Sequence, residues 1–339
     1  MAFIRLSRSA FFHNLDIIAH RAGSIDKIAL VLKDSAYGHG LLEMAAMAKE
    51  YGVSRAVVRS DEEAQRLADY FPYILVLAEI PKTVSSRICY TVNSLETISR
   101  FPKGCRVELK VDTGMHRNGI SMEELADAFG SAIRAGLKIE GVFTHFRSAD
   151  ALSSEWFWQY KFFDKVKKEA KVLALQYGLD ELRFHSKNSA ALFRSTSCDE
   201  AMVRIGIAAY GCLQMDRTLS QPALKPVLSL WAEKIMSRTL EPSQRVGYNG
   251  TYAALKTERV STYDIGYADG LLRAASNSYV APDGAALLGR ISMDNTEFSS
   301  TDEKICIFQD ANAYAKAAGT IGYEILVLLS SGIKREVVQ

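Results

Sequence analysis

Short apolar runs alternate with amphipathic helical segments from about residue 28 to residue 210, and this alternation constrains the fold more than any other feature. The runs have the length and the β-branched character of strands. They stand at residues 28–32, 55–58, 73–78, 105–111, 139–146, 182–186 and 203–211. Strand, helix and strand in succession predict parallel βαβ units. Their number and length favour an α/β fold of the (β/α)8 TIM-barrel type over an open doubly wound sheet.

The segments between these runs carry helix signals. Residues 41–51 place apolar residues at helical spacing and stop before Gly52. Ser121 is followed three residues later by Glu124, which is a capping-box pattern. The glycines at 38 and 40 are followed by no third glycine at the required spacing, so the dinucleotide-binding fingerprint is absent.

The pattern changes after about residue 220, where strands and turns dominate and helical periodicity is scarce until residue 311. We therefore predict two domains, a barrel over residues 1–220 and a mostly β domain over residues 221–339. The first ten or so residues are candidates to pack on the second domain. The tail over residues 324–339 is predicted to form a terminal strand pair.

Composition excludes several classes of protein. The 41 basic and 39 acidic residues nearly balance and form no basic block, so a nucleic-acid partner is not expected. No apolar run reaches the roughly 18 residues that span a bilayer, and the N-terminus has no continuous apolar core of a signal peptide. Five widely spaced cysteines without a CxxC pair favour reduced thiols over a disulfide or zinc site. The six histidines show no metal-ligand spacing. A cytoplasmic protein without a metal or a membrane is expected.

Lys33 ends the first predicted barrel strand, in the stretch VLKDSAYGHG over residues 31–40. Barrel active sites are built at the carboxyl ends of the strands. Partial burial there lowers a lysine's pKa and frees an amine that can form a Schiff base with an aldehyde. The alternative is a lysine that extends its ammonium to solvent from a strand end.

The same stretch resembles the pyridoxal-phosphate lysine motif of alanine racemases. Further family motifs follow in the family's order across nearly the whole chain. They are LKVDTGMHRNG (109–119), FTHFRSAD (143–150), FHSKNSAAL (184–192), VRIGIAAYG (203–211), GYNGTY (247–252), IGYADG (265–270), LLGRISMD (287–294) and IGYE (321–324). The resemblance implies a (β/α)8 barrel followed by a β domain, with pyridoxal 5'-phosphate as cofactor.

The resemblance also implies a catalytic pair. Lys33 would hold the cofactor covalently and act as one base, and Tyr267 of the partner subunit would act as the other. Two bases on opposite faces of a planar carbanion are what a racemisation requires. The active site would then be shared across a homodimer. Without the motif, Tyr267 would be interpreted as a packed aromatic residue with a solvated hydroxyl.

Arg204 matches the family's contact to the pyridine nitrogen. Arginine stays protonated, so it would donate a hydrogen bond and leave that nitrogen unprotonated, which weakens the electron sink and disfavours transamination. The alternative is an arginine paired with a barrel carboxylate. The other residues that match cofactor contacts are Tyr37, His145, Asn188, Ser189, Gly206, Ile207 and Tyr323. Most of these match phosphate contacts, and His145 matches a ring-side contact.

Arg117 matches the contact to the substrate carboxylate, for which a guanidinium fork is suited. Lys110 matches a position that is carbamylated in many relatives; the alternative is an ordinary lysine paired with Asp112. Met293 matches a backbone contact from the partner subunit. Residues that match the entry channel are Asp150 and Arg290.

The chain also departs from the family pattern. Asp34 follows Lys33 where alanine is usual, and Lys187 precedes Asn188 where a small residue is usual. Strand geometry predicts that the Asp34 carboxylate points away from Lys33. These changes leave the catalytic pair intact and bear on substrate preference.

The resemblance implies racemisation of a small amino acid, L-alanine to D-alanine and back, which supplies D-alanine for peptidoglycan. One alternative is a racemase of the same family that acts on serine or on a broader set. The other is a non-catalytic carrier of pyridoxal phosphate, a class that shares the barrel and the lysine but lacks the β domain.

Overall fold

The computed structural model describes all 339 residues, and most of them belong to a barrel and an antiparallel-rich second sheet. The chain begins with strand β1 (Phe3–Ser7) and helix α1 (Arg8–Ala22). The barrel strands are β2 (Ile28–Val31), β3 (Arg55–Val58), β4 (Tyr73–Val76), β5 (Ile88–Val92), β6 (Arg106–Lys110), β7 (Lys138–Phe143), β8 (Arg183–His185) and β9 (Val203–Ile205).

These eight strands pair in parallel in the order β8-β7-β6-β5-β4-β3-β2-β9. Between β8 and β9 there is no regular ladder. Two backbone hydrogen bonds bridge this gap, from Ala201 N to Phe184 O (3.2 Å) and from Arg204 N to Lys187 O (2.9 Å). The barrel is thus nearly closed, and the predicted fold class is confirmed.

Helical segments connect the strands, most of them on the outside of the barrel. They are α2 (Lys33–Tyr37, a left-handed turn), α3 (Leu41–Tyr51), α4 (Asp61–Leu67), α5 (Leu125–Arg134), α6 (Glu155–Gln176) and α7 (Ser189–Arg194). Helix α3 ends at Gly52 in the left-handed conformation (φ 102°), as predicted. The capping box forms between Ser121 and Glu124, although the regular helix begins at Leu125. None of the helices is long and apolar enough to cross a membrane.

Alternation along each strand separates the outer core from the barrel interior. In β2, Ile28 and Leu30 pack into the large core under the helices, whereas Ala29 and Val31 belong to a small apolar cluster inside the barrel. In β6, Val107 and Leu109 join the outer core. The alternate positions of that strand, which face the interior, carry buried charged residues instead.

The second domain is built on one long strand. Its elements are β10 (Leu228–Leu240), β11 (Arg245–Val246), β12 (Tyr252–Ala253), β13 (Glu258–Tyr263), β14 (Leu287–Leu288), β15 (Thr296–Phe298), β16 (Lys304–Phe308), α8 (Ala311–Ala318), α9 (Gly322–Leu328) and β17 (Lys334–Val338). The sheet order is β14-β15-β13-β10-β1-β17, and β16 also pairs with β10. β1, from the start of the chain, therefore lies between β10 and the last strand.

Three local predictions are wrong or incomplete. Strand β5 was not predicted, because the apolar run ICYTV lies after a long irregular segment with no helix before it. The tail is not a strand pair: residues 322–328 form α9, and only residues 334–338 form a strand. The apolar run at 203–211 is a strand only to Ile205, because the chain turns away at the barrel rim.

Gly211 has a left-handed backbone conformation that strains other residues, and a neighbour that leaves no room for a side chain. It lies beyond the last barrel strand with φ 78°, and an added Cβ would stand 1.9 Å from the carbonyl oxygen of Lys225. Gly23, at the end of α1, has a similar φ of 87° and nothing within 4 Å of an added Cβ. The two glycines share the left-handed conformation and differ in the space around them.

We predict that Gly211→Ala lowers the free energy of unfolding by about 3–5 kcal/mol, because backbone strain and a carbonyl overlap add. Gly23→Ala should cost about 1–2 kcal/mol, from strain alone. Urea unfolding of both variants measures the difference. Equal losses would show that the Lys225 contact moves aside freely.

Candidate functional site

Lys33 lies at the carboxyl end of β2, where the chain leaves the strand in a left-handed turn. Asp34, Ser35, Ala36 and Tyr37 all have φ between 53° and 55°, a conformation that costs non-glycine residues about 1–2 kcal/mol each. The turn is held from outside, because Asp34 N donates to the Glu63 carboxylate at 2.7 Å. Such strain persists only where the surroundings impose it.

The turn reverses the expected direction of Asp34. Its carboxylate lies 3.8 Å from Lys33 Nζ and 3.1 Å from the Arg59 guanidinium. The prediction that Asp34 points away from Lys33 is wrong, because β2 ends at Val31 and strand alternation no longer applies. Lys33 keeps about a third of its side chain exposed (36%) and so can be reached from the rim.

Four cationic side chains act electrostatically on His145, which follows β7. Burial lowers the pKa of His145 most, and the positive charges of its neighbours lower it further, to about 3. In decreasing order of effect these neighbours are Arg204, Lys110, Arg117 and Lys33. His145 is therefore neutral at physiological pH. A rim with this many cations is suited to a ligand that carries several negative charges.

Arg204, on β9, is buried and held by the ends of two neighbouring strands. Its guanidinium donates to the backbone carbonyls of Thr144 (2.6 Å) and Ser186 (3.2 Å), and it contacts His185 Nδ1. Burial lowers the pKa of Arg204 to about 10, so it remains charged at neutral pH. It does not pair directly with a carboxylate, which was the alternative interpretation.

Two buried carboxylates, Glu200 and Glu108, favour the charged form of Arg204, and Glu108 acts through His185. His185 Nε2 lies 2.6 Å from the Glu108 carboxylate, which also accepts from Tyr73 Oη (2.9 Å) and Arg183 Nε (3.1 Å). Burial opposes ionisation of Glu108, but His185, Arg183 and Tyr73 outweigh it and lower its pKa to about 2. Since Arg204 only donates, Nδ1 of His185 accepts and Nε2 carries the proton.

Sequence analysis missed Glu108 and His185. Each has an exposed fraction of 0%, and both lie inside the barrel. One signal was available, because RVELK places Glu108 two residues before Lys110, on the interior side of a strand whose other side is apolar. The spacing alone does not show that β8 brings His185 to the same place.

Lys110 ends β6 and donates to the side-chain oxygen of Asn118. Burial, followed by the charges of Arg117 and Arg204, lowers the pKa of Lys110 to about 8. Asp112 is not its hydrogen-bond partner, because that carboxylate accepts from the backbone N–H groups of Gly114, Met115 and His116. The side chain of Arg117 is exposed beside this turn.

Backbone N–H groups converge at the ends of β8 and β9. The Ser189 hydroxyl accepts from Gly206 N (3.2 Å) and Ala208 N (3.3 Å), which flank Ile207. Asn188 caps α7, since its side-chain oxygen accepts from Ala191 N at 2.9 Å. Gly206 has to be glycine, because an added Cβ would stand 2.5 Å from the Tyr37 hydroxyl. These groups form a cradle of donors.

The mouth of this cradle includes Tyr323 from α9. Its ring lies 6.0 Å from that of Tyr37, and burial together with the charge of Asp150 raises its pKa. The second domain is fixed here, because Arg335 donates to the carbonyl of Gly38 at 2.9 and 3.1 Å. Both domains of one chain therefore border the site.

Tyr267, Met293 and Arg290 lie elsewhere, on the second domain. Tyr267 N donates to Ser292 O and Ala268 N donates to Met293 O, both at 3.0 Å, so the two predicted partner residues are neighbours. Tyr267 is 41% exposed and Met293 is 54% exposed. Arg290 packs its backbone against Gly247. No hydrogen bond or ion pair joins these three to the Lys33 group within one chain.

Comparison with known proteins matches both halves of the chain. The family described as "Alanine racemase, N-terminal domain" matches residues 6–214, and "Alanine racemase, C-terminal domain" matches residues 227–337. The chain is 47% identical over 335 residues to an alanine racemase of a Nitratiruptor species, covering 99% of each. It is 42% identical over 340 residues to one of Campylobacter curvus, covering 100% of each.

Solved structures agree with these matches. An alanine racemase from Streptomyces lavendulae has a TM-score of 0.88 at 26% identity, covering 100% of this chain and 97% of that one. The alanine racemase of Bacillus anthracis with bound L-Ala-P has a TM-score of 0.87 at 28% identity, covering 100% and 95%. The likeness thus extends over both domains.

His39, two residues beyond Tyr37, is fully buried and makes the stability of the fold depend on pH. Its Nδ1 lies 3.0 Å from the carbonyl of Tyr37, and its ring packs 4.4 Å from that of Tyr210. Nε2 is buried without a hydrogen-bond partner. Burial lowers the pKa of His39 to about 4.

We predict that this histidine destabilises the fold as the pH falls. The unfolded chain takes up the proton near pH 6.5 and the folded chain only near pH 4, so up to about 3 kcal/mol is lost across that window. His39→Asn should flatten the loss, as measured by urea unfolding from pH 7 to pH 4. The exposed His20→Asn is the control, and equal slopes in both variants would contradict the assignment.

Proposed function

The chain belongs to the alanine racemase family, and on that premise we propose that it interconverts L-alanine and D-alanine with pyridoxal 5'-phosphate and supplies D-alanine for peptidoglycan. The observation that carries the proposal is the position of Lys33. Lys33 follows the first barrel strand with its side chain partly exposed, and its charge, with those of Lys110, Arg117 and Arg204, lowers the pKa of His145. A reactive amine and several anion-binding groups are therefore found together at the barrel rim.

The residues present fit the cofactor. Its phosphate would be held by the Ser189 hydroxyl, the N–H groups of Gly206 and Ile207, and the Tyr37 hydroxyl, which are brought together at the ends of β8 and β9. Arg204 would donate to the ring nitrogen, and His145 would contact the ring. When bound, the cofactor withdraws electrons from the α-carbon of an amino acid and so acidifies its α-hydrogen.

Two residues of this chain would move the proton. Lys33 would act on one face of the α-carbon, and the partner subunit's Tyr267 on the other. One base removes the α-proton and the other delivers a proton to the opposite face, which inverts the centre. The exposure of Tyr267 and Met293 on one surface of the second domain supports a role in a neighbouring subunit.

The buried Glu108–His185–Arg204 series would favour racemisation over side reactions. Arg204 remains a charged donor because two buried carboxylates favour its charged form, Glu200 and, through a neutral His185, Glu108. A donor that keeps its proton leaves the ring nitrogen unprotonated. The electron sink is then weaker, so the carbanion at the α-carbon would be shorter-lived and would have fewer chances to undergo transamination.

Arg117 would bind the substrate carboxylate, together with the backbone of Met293 from the partner subunit. Lys110 is a candidate for carbamylation. With a pKa of about 8, a useful fraction of its amine is uncharged near neutral pH, as addition of carbon dioxide requires. The carbamate would then be an anion that orients Arg117. Asp150 and Arg290 would line the entry.

The alternatives differ from this proposal in substrate or in class. A serine or broad-range racemase would share the same cradle and bases. A non-catalytic carrier would not need the second domain, and the match of residues 227–337 to the C-terminal family domain favours a racemase.

We expect the pyridoxal-phosphate-loaded protein, incubated with L-alanine in D2O, to lose the α-proton signal and the optical activity together. Proton NMR and circular dichroism follow the two losses, and L-serine in place of alanine ranks the first two candidates. Bound cofactor with neither signal changing would exclude an alanine racemase.

If each active site is shared between two subunits, two inactive variants should complement each other in a mixed dimer. Lys33→Ala and Tyr267→Phe should each reduce turnover by roughly a thousandfold or more, because each removes one base. Mixed and reassociated in equal amounts, they should regain about a quarter of wild-type activity. Half of the dimers are then mixed, and each mixed dimer has one of its two sites intact. Mixtures that stay inactive would place both bases in one chain.

A further inference from the structure

Arg194, the last residue of α7, binds the loop over residues 148–153, which we call the clamped loop. Nη1 and Nη2 share the contacts, and every acceptor is a backbone carbonyl. The acceptors are Ser148 (3.0 Å), Ala149 (3.5 Å) and Ala151 (2.6 Å) for Nη1, and Ser153 (3.0 Å) for Nη2. One guanidinium therefore fixes both arms of the loop.

The clamped loop has no regular secondary structure to hold it. Underneath, Ala149 packs on Ala190 and Ala191 of α7, in a small apolar cluster with Phe146. The Arg194 guanidinium also stacks on the ring of Trp156 at 4.7 Å, which is a cation–π geometry. Backbone carbonyls that lose such a donor have to turn to solvent.

This loop carries Asp150 to the mouth of the site. The Asp150 carbonyl accepts from Asp216 N at 2.8 Å, and the negative charge of Asp150 raises the pKa of Tyr323, whose ring centroid lies 6.0 Å from that of Tyr37. The other end of α7 begins at Ser189, in the donor cradle. A helix of six residues thus connects the cradle rigidly to the mouth.

We propose that Arg194 is a positioning residue that fixes the clamped loop, and with it Asp150, at the entrance through which the amino acid reaches Lys33. The proposal rests on the proposed function for the identity of the substrate. Arg194 touches no reacting group in this arrangement. Its loss should therefore weaken substrate binding more than it slows proton transfer.

The test uses the dimeric, cofactor-loaded protein. Arg194→Met keeps the aliphatic stem on Trp156 and removes the donors. We expect a rise in KM for alanine of roughly tenfold, a kcat within about twofold of wild type, and faster deuterium exchange confined to residues 148–153. Arg134→Met is the matched control: Arg134 is the last residue of α5, is exposed, and donates to Ser131 of its own helix at 2.9 Å.

Two results would overturn the proposal: an unchanged KM with unchanged exchange, or a loss in kcat equal to the loss in kcat/KM. If Arg194→Met does not fold, Arg194→Lys, which keeps one donor group, should show a smaller rise in KM and intermediate exchange. If the wild type does not racemise alanine, the proposed function fails, while the exchange data still decide whether Arg194 holds the loop.

Discussion

Parallel pairing of eight strands is the constraint on which the site depends, because it brings every carboxyl end to one rim. Lys33, Lys110 and His145 are far apart in the sequence, yet each follows or ends a barrel strand. No one segment could hold several cations together against their repulsion. The barrel does so with main-chain hydrogen bonds, and the positive charge that is not compensated attracts an anion.

The interior of the barrel balances this charge with few carboxylates. Glu108 sits below the rim and reaches Arg204 only through His185, so the arginine is compensated without being neutralised by direct contact. A carboxylate directly on Arg204 would direct its donors away from the mouth. The indirect arrangement orients the guanidinium and leaves it able to donate a hydrogen bond to a ligand. Buried charge is tolerated because each group has several partners.

Much of the fold follows from local pattern, since period-two and helical spacing separate the strands from the helices that cover them. The residues of the rim were predicted because motifs place them beside strand ends. Glu108, His185 and Arg194 were not predicted, because their roles come from tertiary contacts between distant segments.

The reversal of Asp34 was missed for a related reason. Its turn has four successive left-handed residues, which Glu63, Arg59 and Arg335 impose from outside the turn. The tail was misread because apolar runs of this length fit a strand or a buried helix equally.

Strand β1 gives the chain a particular order of assembly. Phe3 pairs with both Trp231 and Lys334, so the first strand to be synthesised waits for almost the entire chain before its ladder is complete. The barrel strands, by contrast, pair mainly with the strands that follow them. During synthesis the barrel can therefore collapse early, with an apolar N-terminal strand still unpaired. Ribosome-bound chains that lack the last residues should then be the species most in need of chaperones.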